Sequence, residues 1–459
     1  MLPKNKKENK GRGRNFIYPK QPSGRLYTYR KWVSYVLLLF LFACPFVKLN
    51  GEQLVLLNFI ERKFVFFGLI FTPQDFYLFA LAMLIFIMFI VCFTVVLGRL
   101  WCGWACPQTI FMEMVFRRIE YWIEGDANKQ KKLDEADWTA DKILKKVSKH
   151  LIFLVISFAI ANTFLAYMIG SEVLFKIITE PIAGHISGFV TIWVFTFIFY
   201  GVFTYVREAV CTVICPYGRL QGVLLDNQSL VVAYDSARGE PRGRIQKKEV
   251  ALNAGDCVDC GLCVQVCPTG IDIRGGTQLE CVNCTACIDS CNEVMLKINK
   301  PKNLIGFFNQ DFIKERKAYK VGLKSYGYAA VLFAVLMVFS SLIYKREDIE
   351  TTVLRASGTL YQSKGADKTS NLYNAELTNK TNKTVKFIFR SKDSGDEINF
   401  IQKADVLPKE GSVHLTFLLI RNNKSIKKYK TDAVFEIIVN GKVLSTATTS
   451  FFAQPEGIE

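Results

Sequence analysis

Histidine is nearly missing from this chain: there are three in 459 residues, His150, His185 and His414. No long apolar segment contains a pair of them, which excludes a haem held between two membrane histidines, as in a cytochrome b. No GxGxxG or GxxxxGK[ST] pattern occurs, so neither a dinucleotide site nor a P-loop is expected. Four of the five longest apolar runs hold no Asp, Glu, Lys or Arg, which leaves no intramembrane proton relay or ion path in them. The stretch after Tyr344 has no cysteine. Acidic residues are outnumbered, 41 against 58 Lys and Arg, for a net charge of +17. Spread evenly, that charge would suit nucleic acid. It crowds beside the apolar runs instead, which excludes a nucleic-acid partner and points to a lipid bilayer.

Apolar residues are abundant, at 50% of the chain with 13% aromatic. They gather into five runs: Trp32–Leu49, Phe76–Leu97, Leu151–Ile169, Ile186–Val206 and Tyr326–Tyr344. Each is close to the ~20 residues needed to cross a bilayer. Lys48, at the end of the first run, is their only charge. Segments 1–31, 98–150 and 207–325 carry ten, ten and sixteen Lys and Arg, against two in 50–75 and one in 170–185. The positive-inside rule therefore places the N-terminus, the 98–150 loop and the 207–325 segment in the cytoplasm, and the tail after Tyr344 outside. Residues 1–31 are polar, basic and expected to be flexible, lying over the anionic inner leaflet. Gln53–Phe71 reads as a hairpin rather than a sixth span, and 126–150 as a polar stretch with a helix before the third span. Cys44 and Cys92, each alone in a span, read as packing residues. Trp101, Trp104 and Trp122 read as interfacial anchors.

Eight cysteines lie between Cys257 and Cys291. Cys257, Cys260, Cys263 and Cys267-Pro268 follow the bacterial ferredoxin run for a [4Fe–4S] cluster, and Cys281, Cys284, Cys287 and Cys291 repeat its spacing. Asn292 stands where the first run has Pro268. In such domains the fourth cysteine of each run serves the other cluster. One cluster is thus expected on Cys257, Cys260, Cys263 and Cys291, the other on Cys281, Cys284, Cys287 and Cys267. Zinc has little use for eight thiols in two interleaved runs, and a reduced compartment disfavours disulfides. One-electron transfer is the chemistry this spacing supports.

Four more cysteines repeat a second pattern. Arg99 leads into Cys102-x3-Cys106-Pro107 after the second span, and Arg207 into Cys211-x3-Cys215-Pro216 after the fourth. Matched motifs in two halves point to one shared site at the repeat interface. Proline at a first helical position places Cys106 and Cys215 as N-caps, where the helix dipole favours thiolate. Four such thiols suit copper(I), a further iron–sulfur centre, or a dithiol–disulfide cycle. The tail shows short alternating segments and an Asn440-Gly441 turn signal, which suggests an immunoglobulin-type β-sandwich with a docking or stabilising task.

The whole reads as a multi-domain membrane protein. A basic segment (1–31) precedes a four-span membrane domain (32–225), a cytoplasmic ferredoxin-like 2×[4Fe–4S] domain (226–325), a fifth transmembrane helix (326–344) and a periplasmic β-sandwich (345–459). Over nearly its full length the chain resembles the cytochrome c oxidase accessory protein family of the CcoG/FixG/RdxA type. The likeness rests on Ile17-Tyr18-Pro19, Trp101-Cys-Gly-Trp-Ala-Cys-Pro-Gln-Thr109, Arg238-Gly-Glu-Pro-Arg-Gly243 and the Gly255-Asp-Cys-Val-Asp-Cys260 entry to the ferredoxin runs. The resemblance implies a bacterial inner-membrane oxidoreductase, a cupric reductase that turns Cu(II) into Cu(I) for assembly of cbb3-type cytochrome c oxidase. Copper at Cys102, Cys106, Cys211 and Cys215 is the site it suggests. Oxidase assembly factors or a copper transporter or chaperone would be partners, with a cytoplasmic electron donor that the sequence does not name. Two rival readings are a quinol-oxidising electron-transfer subunit and a non-catalytic copper-binding scaffold.

Overall fold

The computed structural model describes residues 16–454 apart from 50, 61–62, 72–74, 182–183, 244–254, 317–321, 357, 359, 365–366 and 427. Among these, four helices are long and apolar enough to cross a membrane: Phe76–Leu97, Ala140–Ile169, Ile186–Val206 and Leu323–Tyr344. The second and fourth expected runs match helix bounds residue for residue, because a charge-free apolar run leaves the backbone no better way to satisfy its polar groups in lipid. The third helix starts eleven residues before Leu151, over the polar Ala140–His150 stretch, and a separate helix at Ala127–Glu135 precedes it.

The first expected run, Trp32–Leu49, is corrected. Its helix spans Arg25–Ala43, while Lys48–Leu49 pairs as a strand with Glu52–Gln53. Pro45 bars continuation of the helix. The helix begins early because Asp289 accepts from the backbone N–H of Leu26 and Tyr27, at 3.2 and 2.7 Å, and so satisfies its free N-terminal donors. With Arg25, Arg30 and Lys31 inside it, this helix falls outside the four apolar ones. The expectation of a loose segment over 1–31 also fails from Phe16 onward; residues 1–15 lie outside the described residues. Lys20 N–H donates to the Gln265 carbonyl at 2.7 Å, Gln21 N–H to Asp126 at 2.9 Å, and the Tyr121 hydroxyl to the Pro19 carbonyl at 3.0 Å.

The chain divides into two compact units. One comprises 1–43, 83–166 and 172–335; the other comprises 44–82, 167–171 and 336–459. In the first, the strand Val231–Tyr234 pairs antiparallel with Ile305–Phe308, in register Val231 with Phe308 and Tyr234 with Ile305. The cysteine runs and the helices Leu262–Gln265 and Ala286–Lys297 lie between these strands in sequence. Val232, Tyr234, Ile271, Ile273, Ile288, Met295, Leu304 and Ile305 make the core of this module, with Cys263 among them.

In the second unit, Glu397–Gln402, Ser412–Asn422, Lys368–Asn379 and Ile349–Arg355 form one antiparallel sheet in that order. Ile388–Ser391, Lys430–Val439 and Lys442–Phe452 form another. Along Lys430–Val439 burial alternates at period two, so Ala433, Phe435, Ile437 and Val439 face the core shared with Tyr373, Phe389, Phe417 and Phe451. Asn440 and Gly441 both hold positive φ, 50° and 80°, which the tight hairpin between these strands requires. The expected 53–71 hairpin is present as Val55–Asn58 paired with Lys63–Phe66, with Leu69–Phe71 added. It is tied to the sandwich by Lys63, which bridges Glu52 at 2.7 Å and Glu410 at 2.5 Å. Nearby, the buried Asp75 meets Lys380 at 2.6 Å and Arg346 at 2.8 Å.

Candidate electron-transfer site

Cys106 and Cys215 are N-caps in extended conformation, each followed by proline at the first helical position, of Pro107–Ile110 and Pro216–Leu224. The turn before each is the same: Cys106 N–H returns to Trp101 O at 3.0 Å and Cys215 N–H to Val210 O at 2.7 Å, both five residues back. Such wide turns are at home near functional sites.

The two halves then exchange contacts. Cys102 donates its thiol hydrogen to Gln221 Oε1 at 3.4 Å, and Gln221 lies on the helix begun by Pro216. In return, Cys211 lies 3.9 Å from Thr109 Oγ1 on the helix begun by Pro107. The arginines cross likewise: Arg99 donates to the Gly218 carbonyl, and Arg207 grips Glu120 with two bonds of 2.7 and 2.8 Å. Cys106 is electrostatically coupled to Cys102 and Cys211, and Cys211 to Cys215 as well. Burial, reinforced by the neighbouring Cys106, pushes the Cys102 thiol up to about 12 and the Cys211 thiol up to about 11. Thr109 and the fully buried Gln221 were not legible as site residues, since nothing in the spacing links them to the opposite motif.

The ferredoxin cysteines surround two cavities. Cys257, Cys260, Cys263 and Cys291 line one, with Tyr234, Arg274, Met295 and Leu304. Cys267, Cys281, Cys284 and Cys287 line the other, with Cys263, Val232, Ile271, Ile273 and Val282. Gly261 and Thr285, both at positive φ, cap the helices Leu262–Gln265 and Ala286–Lys297, which carry Cys263, Cys287 and Cys291. Burial pushes Cys263 and Cys281 up to about 11 and Cys284 and Cys291 up to about 12. Two buried N–H groups near the second cavity, Arg30 Nη2 and Asn283 Nδ2, lack partners among the described residues. Apolar walls with at least four thiols at each cavity, and spare N–H donors near the second, are what an iron–sulfur cluster requires, and the residues fit such a group. Among the described residues no three His, Cys, Asp or Glu side chains converge tightly enough to grip a single ion.

The second cavity abuts both thiol motifs. Cys102 packs with Cys287 against Val266, Val282, Cys284 and Ala286. Gly103 sits so close to the Val282 carbonyl that a Cβ there would stand 2.4 Å from it. On the other side, Cys211 and Thr109 share a small cavity with Pro268, Thr269 and Val282. Cys260, by contrast, is exposed. His150 bonds the Tyr200 hydroxyl at 2.8 Å and His185 pairs with Glu180 at 2.5 Å; neither takes part in this arrangement.

Comparison with known proteins matches this layout. Protein RdxB of Cereibacter sphaeroides is 32% identical over 381 residues, covering 79% of each chain. The chain belongs to the FixG/RdxA family. The nitrogen fixation protein FixG of Rhizobium meliloti is 40% identical over 307 residues, covering 64% of this chain and 57% of FixG. Protein RdxA of Cereibacter sphaeroides is 36% identical over 299 residues, covering 63% of this chain. The chain thus spans less than two thirds of FixG, at 57%, and of RdxA, at 62%. Residues 206–310 match a 4Fe-4S dicluster domain, 79–129 a 4Fe-4S binding domain, and 339–454 the immunoglobulin-like fold at the C-terminus of FixG. This member of the FixG/RdxA family carries 4Fe-4S domains together with four helices long and apolar enough to cross a membrane among the described residues.

Proposed function

We propose that the chain carries single electrons from a soluble cytoplasmic reductant to the four motif thiols, where Cu(II) is reduced to Cu(I) for assembly of cbb3-type cytochrome c oxidase. One observation supports this above the rest: Cys102 and Cys211, from opposite halves, both lie against the loops that carry Cys267, Cys281 and Cys284. Cys257, Cys260, Cys263 and Cys291 would hold one [4Fe–4S] cluster, and Cys267, Cys281, Cys284 and Cys287 the other. Clusters there supply one-electron transfer, the unit that a cupric ion accepts. The motif thiols favour the reduced product, since soft sulfur binds Cu(I) better than Cu(II). Each thiol that closes on copper gives up its proton, and burial keeps Cys102 and Cys211 neutral until the metal arrives.

Charge counting orients the chain with residues 226–325 in the cytoplasm and 345–459 in the periplasm. Copper would leave to a transporter, a chaperone or an oxidase assembly factor, with the periplasmic sandwich as a docking or stabilising element. Replacing both Cys106 and Cys215 by Ser should abolish cupric reduction while iron and sulfide content stays at two clusters per chain. Unchanged reduction rates in that variant refute the assignment. A second reading has its own support: the 79–129 match to a 4Fe-4S binding domain includes Cys102 and Cys106. On that reading the four thiols hold a third cluster, and the same variant loses a cluster's worth of iron.

A further inference from the structure

Arg30 is 2% exposed and ion-pairs with no carboxylate among the described residues. Its Nε donates to the Gly103 carbonyl at 2.7 Å, inside the first thiol motif. Its Nη2 is buried and unpartnered among the described residues, and the Gly103 it grips packs on the backbone of Val282, in the wall of the second cavity. A buried guanidinium without a counter-charge is costly, and a centre ligated by four thiolates is the anion that would compensate it. The first cavity also has an arginine on its wall, Arg274, but that charge is already met by Asp272 at 2.8 Å and Asp259 at 2.5 Å. The arginine on the first wall is thus neutralised, while Arg30, one contact behind the second wall, meets no carboxylate among the described residues.

We propose that Arg30 raises the reduction potential of the cluster held by Cys267, Cys281, Cys284 and Cys287 above that of the cluster held by Cys257, Cys260, Cys263 and Cys291. Electrons then collect at the site nearest Cys102 rather than at the exposed Cys260 edge. Charge and hydrogen bonds to sulfur are the protein's usual means of setting such potentials. The inference rests on the cluster assignment above but not on copper. Arg30 is a positioning residue and is not expected to touch substrate.

The test is an anaerobic redox titration of the full-length protein, followed by electron paramagnetic resonance with no copper present. Arg30→Met should lower one midpoint by a tenfold change in electron partition or more, about 59 mV for one electron, and leave the other in place. Arg30→Lys, which keeps the charge, should restore most of the difference. Asp272→Asn leaves the Arg30 contacts alone and should raise the other midpoint, so the idea stays testable if Arg30→Met does not fold. Both midpoints unmoved, or moved together, overturn the inference while the two-cluster reading stands. A wild-type protein without two [4Fe–4S] signals overturns the reading and the inference with it.

Discussion

Replacing Gly103 by alanine is the smallest change that would separate the thiol motif from the ferredoxin module. The new Cβ would stand 2.4 Å from Val282 O and 3.0 Å from Asn283 C and O. Ordinary contact begins near 3.4 Å, so the clash is about 1 Å deep. The obstructing atoms are backbone, which cannot rotate aside, and they belong to the loop between Cys281 and Cys284. Relief therefore requires that loop to move away from Cys102. Overpacking of this kind costs roughly 1–3 kcal/mol, and a shift of about 1 Å in a positioned reaction can cost up to about a hundredfold in rate. The variant should still fold. After reduction, its iron–sulfur absorbance should recover at least about tenfold more slowly on mixing with Cu(II) than in the wild type. Gly327→Ala is the control, because a Cβ there meets open space. Wild-type recovery rate and wild-type thermal stability in Gly103→Ala would refute the contact as the electron exit.

Two further outcomes follow from charges and protons. Asp75 is buried against Lys380 and Arg346; burial alone would raise its carboxyl, but the two cations outweigh it and hold it below the usual range. Asp75→Ala leaves Lys380 its 2.9 Å bridge to Glu350 and should cost the second unit about 1–3 kcal/mol, read by thermal unfolding; an unchanged midpoint would show the pair to be idle. Because the folded pKa is depressed, the wild-type contribution is complete above the unfolded value near 3.8 and disappears as pH falls through the lower folded value. At the thiol motif the sign reverses. Cys102 and Cys211 remain protonated until about pH 12 and 11, so Cu(I) binding must release their protons. Apparent Cu(I) affinity, measured by competition with a chelator, should rise about tenfold per pH unit for each proton released, between about pH 6 and 9. A flat profile would mean that these thiols do not bind the metal.

What could be read from the sequence was whatever a residue dictates locally. Charge-free runs gave helix bounds at Phe76–Leu97 and Ile186–Val206, Pro107 and Pro216 placed Cys106 and Cys215 as caps, and Asn440-Gly441 supplied the two positive φ angles of its turn. The misses were imposed from a distance. The first helix starts at Arg25 because Asp289, more than 260 residues away, caps it. Phe16–Gly24 is held down by Gln265, Asp126 and Tyr121, none of which a basic, glycine-containing segment announces. Arg30 counted only as one of ten positive charges until its burial at Gly103 became visible.

The same distinction explains why the thiol motif occurs twice. A single Cys-x3-Cys-Pro turn could present two thiols by itself, yet here each motif leaves its first cysteine to a residue of the other half: Cys102 to Gln221, Cys211 to Thr109. Arg99 and Arg207 cross the same boundary to Gly218 and Glu120. A half that folded alone would leave buried thiols and guanidinium groups unsatisfied, each at a cost of about 1–3 kcal/mol or more. The halves therefore specify each other, and the point where they meet is the point the Val282 loop touches from the ferredoxin side. Repetition supplies the four thiols. The crossed contacts set Cys102 and Cys211, one from each half, beside the loops that line the second cavity.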